Sequence, residues 1–317
     1  MSEQAQDRMA LVATPATLPA EPPPQLSAAA LEAAPRAYSP ETLRSYQRAV
    51  TSVEQRLDGR PLDDHRLSEV LAEMAAEGLG RASLAQAVAA VRWASRHSGR
   101  PDPVGPSCQV VLAAHRRHAP PPKQSPPLRW EDAEAVATIA ENGGGDPAGL
   151  RDAAIISLMS DSLARVSEVS ALNVEDIARR DDGSALMAIR RSKTDQEGVG
   201  VERYLGPPTV ARIDAWLAAA GISDGALFRW VRGSVAMPGR LTSRSIRRII
   251  TARSADAGRV ASGHSMRVGG VISLMAARES LPAIQLAGGW ADPKMVSYYA
   301  RGEAAAQGAI ARSKYGR

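Results

Sequence analysis

The chain has a single cysteine, Cys108, which excludes both an intrachain disulfide and a cysteine-based metal cluster. It has no run of about twenty apolar residues, so the sequence offers no candidate membrane span. Glu3 and Asp7 precede the first basic residue, Arg8, and no long apolar core follows. The sequence therefore predicts no secretory leader, a cytoplasmic setting and no membrane partner. Aromatics make up 4% of the residues, too few for the stacking platforms that hold single-stranded nucleic acid. Lysine is also scarce. It occurs only at 123, 193, 294 and 314, four of the 39 basic residues, leaving 35 arginines. Arginine never releases its proton, whereas an amine can, so each lysine is a candidate for work that arginine cannot do.

The 317 residues suffice for two domains, each with its own core, and 44% hydrophobic with 23% charged residues is ordinary for a globular protein. The net charge of +5 is unevenly placed. Between Arg240 and Arg267 lie seven arginines and one acid, Asp256, so this stretch carries +6 and the remainder −1. A basic stripe on a nearly neutral body marks a polyanion partner, and the shortage of aromatics favours duplex DNA. A solvated helix face is the plainer alternative on charge alone.

Residues 1–37 are rich in Ala, Pro and Glu and read as a disordered tail. Order is expected from "YSPETLRSY", where Ser39 can cap a helix and Pro40 suits its first position. Leu43, Tyr46 and Val50 then share a helical face. Further helical patterns give an all-helical first domain over 38–118. The five prolines of "APPPKQSPP", 119–127, predict an extended linker containing Lys123. The second domain, 128–317, opens with two helices and then shows "SALMAIRRS" and "VGVERYLG", two strands around a polar loop that places Lys193 at the mouth of a hairpin. From Thr209 onward the pattern reads as helical to the end, with breaks at "GGWADP" and near Gly302. The fold class is mainly α with a small β-hairpin.

Four features can carry chemistry: Arg165 and Glu168 at i and i+3; Lys193 in the hairpin; His264 and Arg267 at i and i+3 in "GHSMRVGG"; and "GGWADPKMVSYYARG", where Asp292 can cap a short helix begun by Pro293. Each has a bland reading on its own: a surface ion pair worth under about 1 kcal/mol, a solvated lysine, a hydrogen-bonded histidine, tyrosines packed in a core. Their order along some 140 residues, Arg, Lys, His-x-x-Arg, Trp, Tyr, resembles the tyrosine recombinase (phage integrase) family. The likeness covers nearly everything after the tail.

That resemblance implies a two-domain DNA clamp, a helical core-binding (SAM-like) domain joined to a tyrosine-recombinase catalytic domain. It matches Arg165, Lys193, His264, Arg267, Trp290 and Tyr299 to the family's active site and Glu168 to its acidic helper. Helical periodicity does not choose between Tyr298 and Tyr299, but the spacing of nine residues from Trp290 matches the family at Tyr299. The implied reaction is cutting and rejoining of duplex DNA through a 3′-phosphotyrosyl link and a Holliday junction, with no metal, ATP or other cofactor. Two arginine forks clamp the non-bridging oxygens, His264 donates or accepts a proton, and Lys193 supplies the proton of the leaving 5′-oxygen. "LTSRSIRRIITAR" is expected as a helix capped by Thr242 or Ser243, with Arg244 reading a base and Arg240, Ser243, Arg247 and Arg248 contributing to DNA binding. The C-terminal "EAAAQGAIARSKYGR" resembles a protomer-docking segment, implying a homotetramer on two DNA sites, one dimer per site of paired inverted half-sites. A type IB topoisomerase or telomere resolvase would use the same chemistry. A DNA-binding regulator would leave the Lys, His, Trp and Tyr positions without a use.

Overall fold

The computed structural model describes residues 38–121, 123–143, 146–190, 200–306 and 313–314. The expected disordered tail, Lys193, Tyr315 and most of the C-terminal docking segment lie outside the described residues. The chain divides into two units, Met1–Lys123 and Gln124–Arg317.

The first unit holds four helices: α1 (Pro40–Leu57), α2 (Asp64–Ala76), α3 (Arg81–His97) and α4 (Pro106–His118). Ser39 caps α1 by accepting from the Thr42 amide at 3.1 Å, with Pro40 in the first turn. Val53, Leu57, Leu67, Leu71, Leu84 and Val91 fill its core. Asp64, at the start of α2, reaches across to cap α4, accepting from the amides of Gly105, Ser107 and Cys108 at 2.7, 2.8 and 3.1 Å. The same contact buries Cys108. Desolvation and the hydrogen bond to Asp64 push its thiol up to about 12, so it packs as an inert apolar group.

The second unit is built on α6 (Pro147–Ser162), which is buried along nearly its whole length, with Arg151 and Asp152 paired to each other inside it. Around it lie α5 (Trp130–Asn142), α7 (Val166–Ala171), α8 (Pro207–Ala220), α9 (Ser243–Asp256), α10 (Ser265–Ala276), α11 (Leu281–Gly288) and α12 (Pro293–Ala306). The expected hairpin is present. β2 (Ala185–Ile189) pairs antiparallel with β3 (Val201–Leu205), Ile189 opposite Val201 and Met187 opposite Arg203. A third strand, β1 (Ile177–Arg179), extends it on the other side of β2.

Three sequence expectations need correction. The stretch after Thr209 is not helical throughout, because β4 (Arg229–Arg232) and β5 (Val235–Arg240) form a second antiparallel hairpin that turns at Gly233. Its side chains are half-buried or exposed, so no clean apolar alternation announces it. The helix after Asp292 is fourteen residues rather than short, and it runs through Gly302 without a break. Gly302 has nothing within 4 Å of where a Cβ would stand, and one glycine costs a helix only about 1 kcal/mol. Among the described residues, no helix is long and apolar enough to cross a membrane.

Candidate active site

α6 ends at Leu163, which adopts a left-handed conformation at φ 51° and turns the chain sharply into Arg165, the N-cap of α7. Arg165 therefore stands at the mouth of the helix rather than on its side. Glu168 sits in the first turn and bonds it twice, Oε2 accepting the Arg165 backbone N–H and Oε1 accepting from Nη1, both at 2.7 Å. The Glu168 side chain is 5% exposed and that of Arg165 is 20% exposed. The ion pair is thus largely buried, and the surface-pair reading does not hold.

The same turn is gripped by Arg267 from the first turn of α10. Its Nη1 donates to the Leu163 carbonyl and its Nη2 to the Gly288 carbonyl at 3.2 Å. The guanidinium lies over the Trp290 ring, 4.3 Å from the centroid. Burial and the neighbouring Arg165 bring its pKa down to about 10, so it stays charged near neutrality. Its Nε is buried with no partner among the described residues.

α10 can come this close because two of its positions are glycines. A Cβ on Gly269 would stand 1.8 Å from the Leu128 carbonyl oxygen. His264, the N-cap of α10, faces solvent. Desolvation by the packed surface beneath it, then Arg267, Arg165 and Arg247, lower its pKa, so the ring is neutral at physiological pH.

Trp290 and Tyr299 belong to one apolar cluster with Leu163, Val268, Val271, Ile284 and Val296. Their rings meet edge to face at 6.1 Å. Asp292 accepts from the Lys294 amide at 2.8 Å at the start of α12, and the helix carries Tyr299 back toward Trp290. Burial raises the Tyr299 pKa, against the opposing pull of Arg267 and Arg165, so the phenol is protonated at rest. Tyr298 lies beside it, half-buried, with the Arg301 guanidinium 4.9 Å from its ring centroid. The structure thus brings together Arg165, Glu168, Arg267, Trp290 and Tyr299, with His264 at the rim.

On α9, Arg244, Arg247 and Arg248 are exposed. Thr242 is the cap, accepting from the Ser245 amide at 3.2 Å, and Ser243 is the first helical residue, half-buried. Arg240 is engaged within the protein, where it donates to the carbonyls of Ser170 and Leu172 and to Asn173 Oδ1. Sequence reasoning passed over Arg203, which is buried beside this site. The available signal was an arginine on the inward side of a strand, in the alternation Val201, Arg203, Leu205.

Residues 127–305 match the Phage integrase family and residues 33–93 match its N-terminal SAM-like domain. The chain belongs to the phage integrase family. It is a tyrosine-type, site-specific DNA recombinase. It is 28% identical over 274 residues to the recombinase Cre of Escherichia phage P1, covering 80% of each chain. It is 27% identical over 281 residues to tyrosine recombinase XerC of Pseudomonas savastanoi pv. phaseolicola, covering 83% of this chain and 86% of that one. Its fold is similar to that of a chain in the lambda integrase dimer solved on a COC' core site, with TM-score 0.60 at 16% identity over 84% of this chain and 90% of that one.

Proposed function

We propose that Tyr299 attacks a DNA phosphorus, displaces the 5′-oxygen and becomes esterified to the 3′-phosphate. The P–O5′ bond breaks as the P–O(Tyr) bond forms. The phenolic proton passes to neutral His264, and the departing oxygen takes a proton from Lys193, an amine that lies between β2 and β3 in the sequence. Arg165 and Arg267 approach from separate helices and bind the two non-bridging oxygens, with the Trp290 indole N–H as a further donor. This arrangement stabilises charge that grows in the transition state, and losing one such donor costs about 10²–10³ in rate. Glu168 holds Arg165 in position. The ester stores the energy of the broken bond, so resealing needs only a 5′-hydroxyl, and a hydroxyl from a second duplex gives a Holliday junction. No metal, ATP or other cofactor enters this scheme.

The observation that carries this reading is the packing of Arg267 on Trp290 and of Trp290 on Tyr299, beside a bonded Arg165–Glu168 pair. In the same reading, residues 38–118 form the core-binding domain of a clamp around DNA, 119–127 its linker and 128–317 the catalytic domain. Helix α9 lies in the major groove, Arg244 reads a base, and Arg247 and Arg248 grip phosphates. Four protomers assemble on two sites of paired inverted half-sites through the C-terminal segment, and the setting is the nucleoid or cytoplasm. Incubation with host genomic DNA in the presence of EDTA, followed by sequencing of protein-linked ends, tests the scheme. The expected ends are 3′-linked with free 5′-hydroxyls at recurring sites. Linkage to the 5′ side contradicts it.

A further inference from the structure

Arg203 is a charged side chain in a place that the fold alone does not require. It is the middle residue of β3, opposite Met187, and points to the buried side of the strand with Val201 and Leu205. It is 8% exposed, and its Nε has no partner among the described residues. A buried cation with an unmet donor is expensive, and an apolar residue of similar volume commonly serves stability as well or better.

The guanidinium goes to the turn that precedes Trp290. Nη1 donates to the Leu286 carbonyl at 2.8 Å. Nη2 lies against Gly289, where an added Cβ would stand only 2.0 Å away and where φ is +61°. Gly288, the residue before, faces the other way, and a Cβ there would fall 1.7 Å from the Trp290 ring. Gly288 also gives its carbonyl to Arg267. Two arginines from different elements thus pin one four-residue turn, Arg203 at Leu286 and Gly289, Arg267 at Gly288. Glu168 supports the charge of Arg203 while burial and Arg165 oppose it.

We propose that Arg203 is a positioning residue for strand cleavage, holding the Leu286–Gly289 turn so that Trp290 stays packed between Arg267 and Tyr299. This rests on Trp290, Arg267 and Tyr299 forming the reactive site. The role is indirect, because Arg203 acts through the turn and not on the phosphate. It also links β3 to the C-terminal end of α11, the helix that precedes Trp290.

The test uses the full chain, a nicked suicide duplex carrying a site recovered from protein-linked genomic ends, and single-turnover adduct formation. Arg203→Met should melt no lower than the wild type and bind the duplex with Kd within about twofold, yet form adduct about 10–100-fold more slowly, the scale of a misplaced reacting group. Arg203→Lys, which keeps the charge and one donor, should be intermediate in rate. In a Trp290→Ala background, Arg203→Met should slow the reaction little further, because both act through the same ring. Adduct formation at the wild-type rate in Arg203→Met, or in Arg203→Lys should the methionine variant not fold, overturns the proposal. So does full multiplication of the two losses. Tyr299→Phe is the separate control. An adduct in that variant sinks the active-site reading itself, whatever Arg203 does.

Discussion

Glu168 offers a direct measure of how firmly the fold holds a reactive arginine. Its carboxylate makes two bonds of 2.7 Å to the same residue, one to the Arg165 backbone and one to its guanidinium, and is 5% exposed. A charge-assisted bond of this kind contributes about 1.5–3 kcal/mol, and the helix-start bond about 1 kcal/mol. Glu168→Ala loses both and should destabilise the second unit by about 2.5–4 kcal/mol. Glu168→Gln keeps an amide oxygen for the Arg165 N–H and loses only the charge, at about 1–2 kcal/mol. At about 2–4 °C per kcal/mol for a domain of this size, the alanine variant should melt roughly 5–16 °C lower and the glutamine variant roughly 2–8 °C lower. Circular dichroism melts at fixed protein concentration and pH 7 supply the comparison. An alanine variant that melts with the wild type, or a glutamine variant as damaged as the alanine one, would refute the reasoning.

Three further outcomes follow from the same geometry. The lowered pKa of His264 means that the unfolded chain takes up its proton near pH 6.5 while the folded chain resists until lower pH. Stability from this residue is therefore complete above about pH 6.5 and is lost as pH falls through the folded value, so urea midpoints of His264→Asn should decline less between about pH 7 and 5 than those of the wild type; parallel declines would contradict this. Gly269→Ala must force its Cβ away from the Leu128 carbonyl and should cost about 1–3 kcal/mol in urea unfolding, whereas Gly302→Ala, with open space around it, should gain about 0.5–1 kcal/mol. Arg247→Ala and Arg248→Ala should each reduce the slope of log K against log salt by about 1. Arg240→Ala should leave that slope unchanged, because its guanidinium is bonded within the protein.

Much of this was legible in the sequence where one local rule governs. Ser39 before Pro40 announced a helix start, and the alternation in "SALMAIRRS" and "VGVERYLG" announced the paired strands. The site residues could be picked out by their order along the chain, but not by how they are held. Nothing local says that Glu168 is buried, that Arg267 bonds the Leu163 and Gly288 carbonyls, or that Arg203 reaches the turn before Trp290. Those contacts join residues 21, 83 and 104 positions apart, and packing alone creates them. The β4–β5 hairpin escaped for the opposite reason: with Trp230, Val235 and Met237 exposed, no apolar face marks it. Arg240 shows the limit of counting charge, since it belongs to the basic stripe and yet serves the fold.

The central claim is that one phenol, Tyr299, exchanges places with a sugar oxygen under two guanidinium groups. Nuclease digestion of the trapped protein–DNA adduct, followed by mass spectrometry of the tryptic peptides, reads this directly. A nucleotide carried through its 3′-phosphate on Tyr299, retained in Tyr298→Phe and absent in Tyr299→Phe, is the result the account predicts. A nucleotide on Tyr298, or on any residue outside α12, would contradict it.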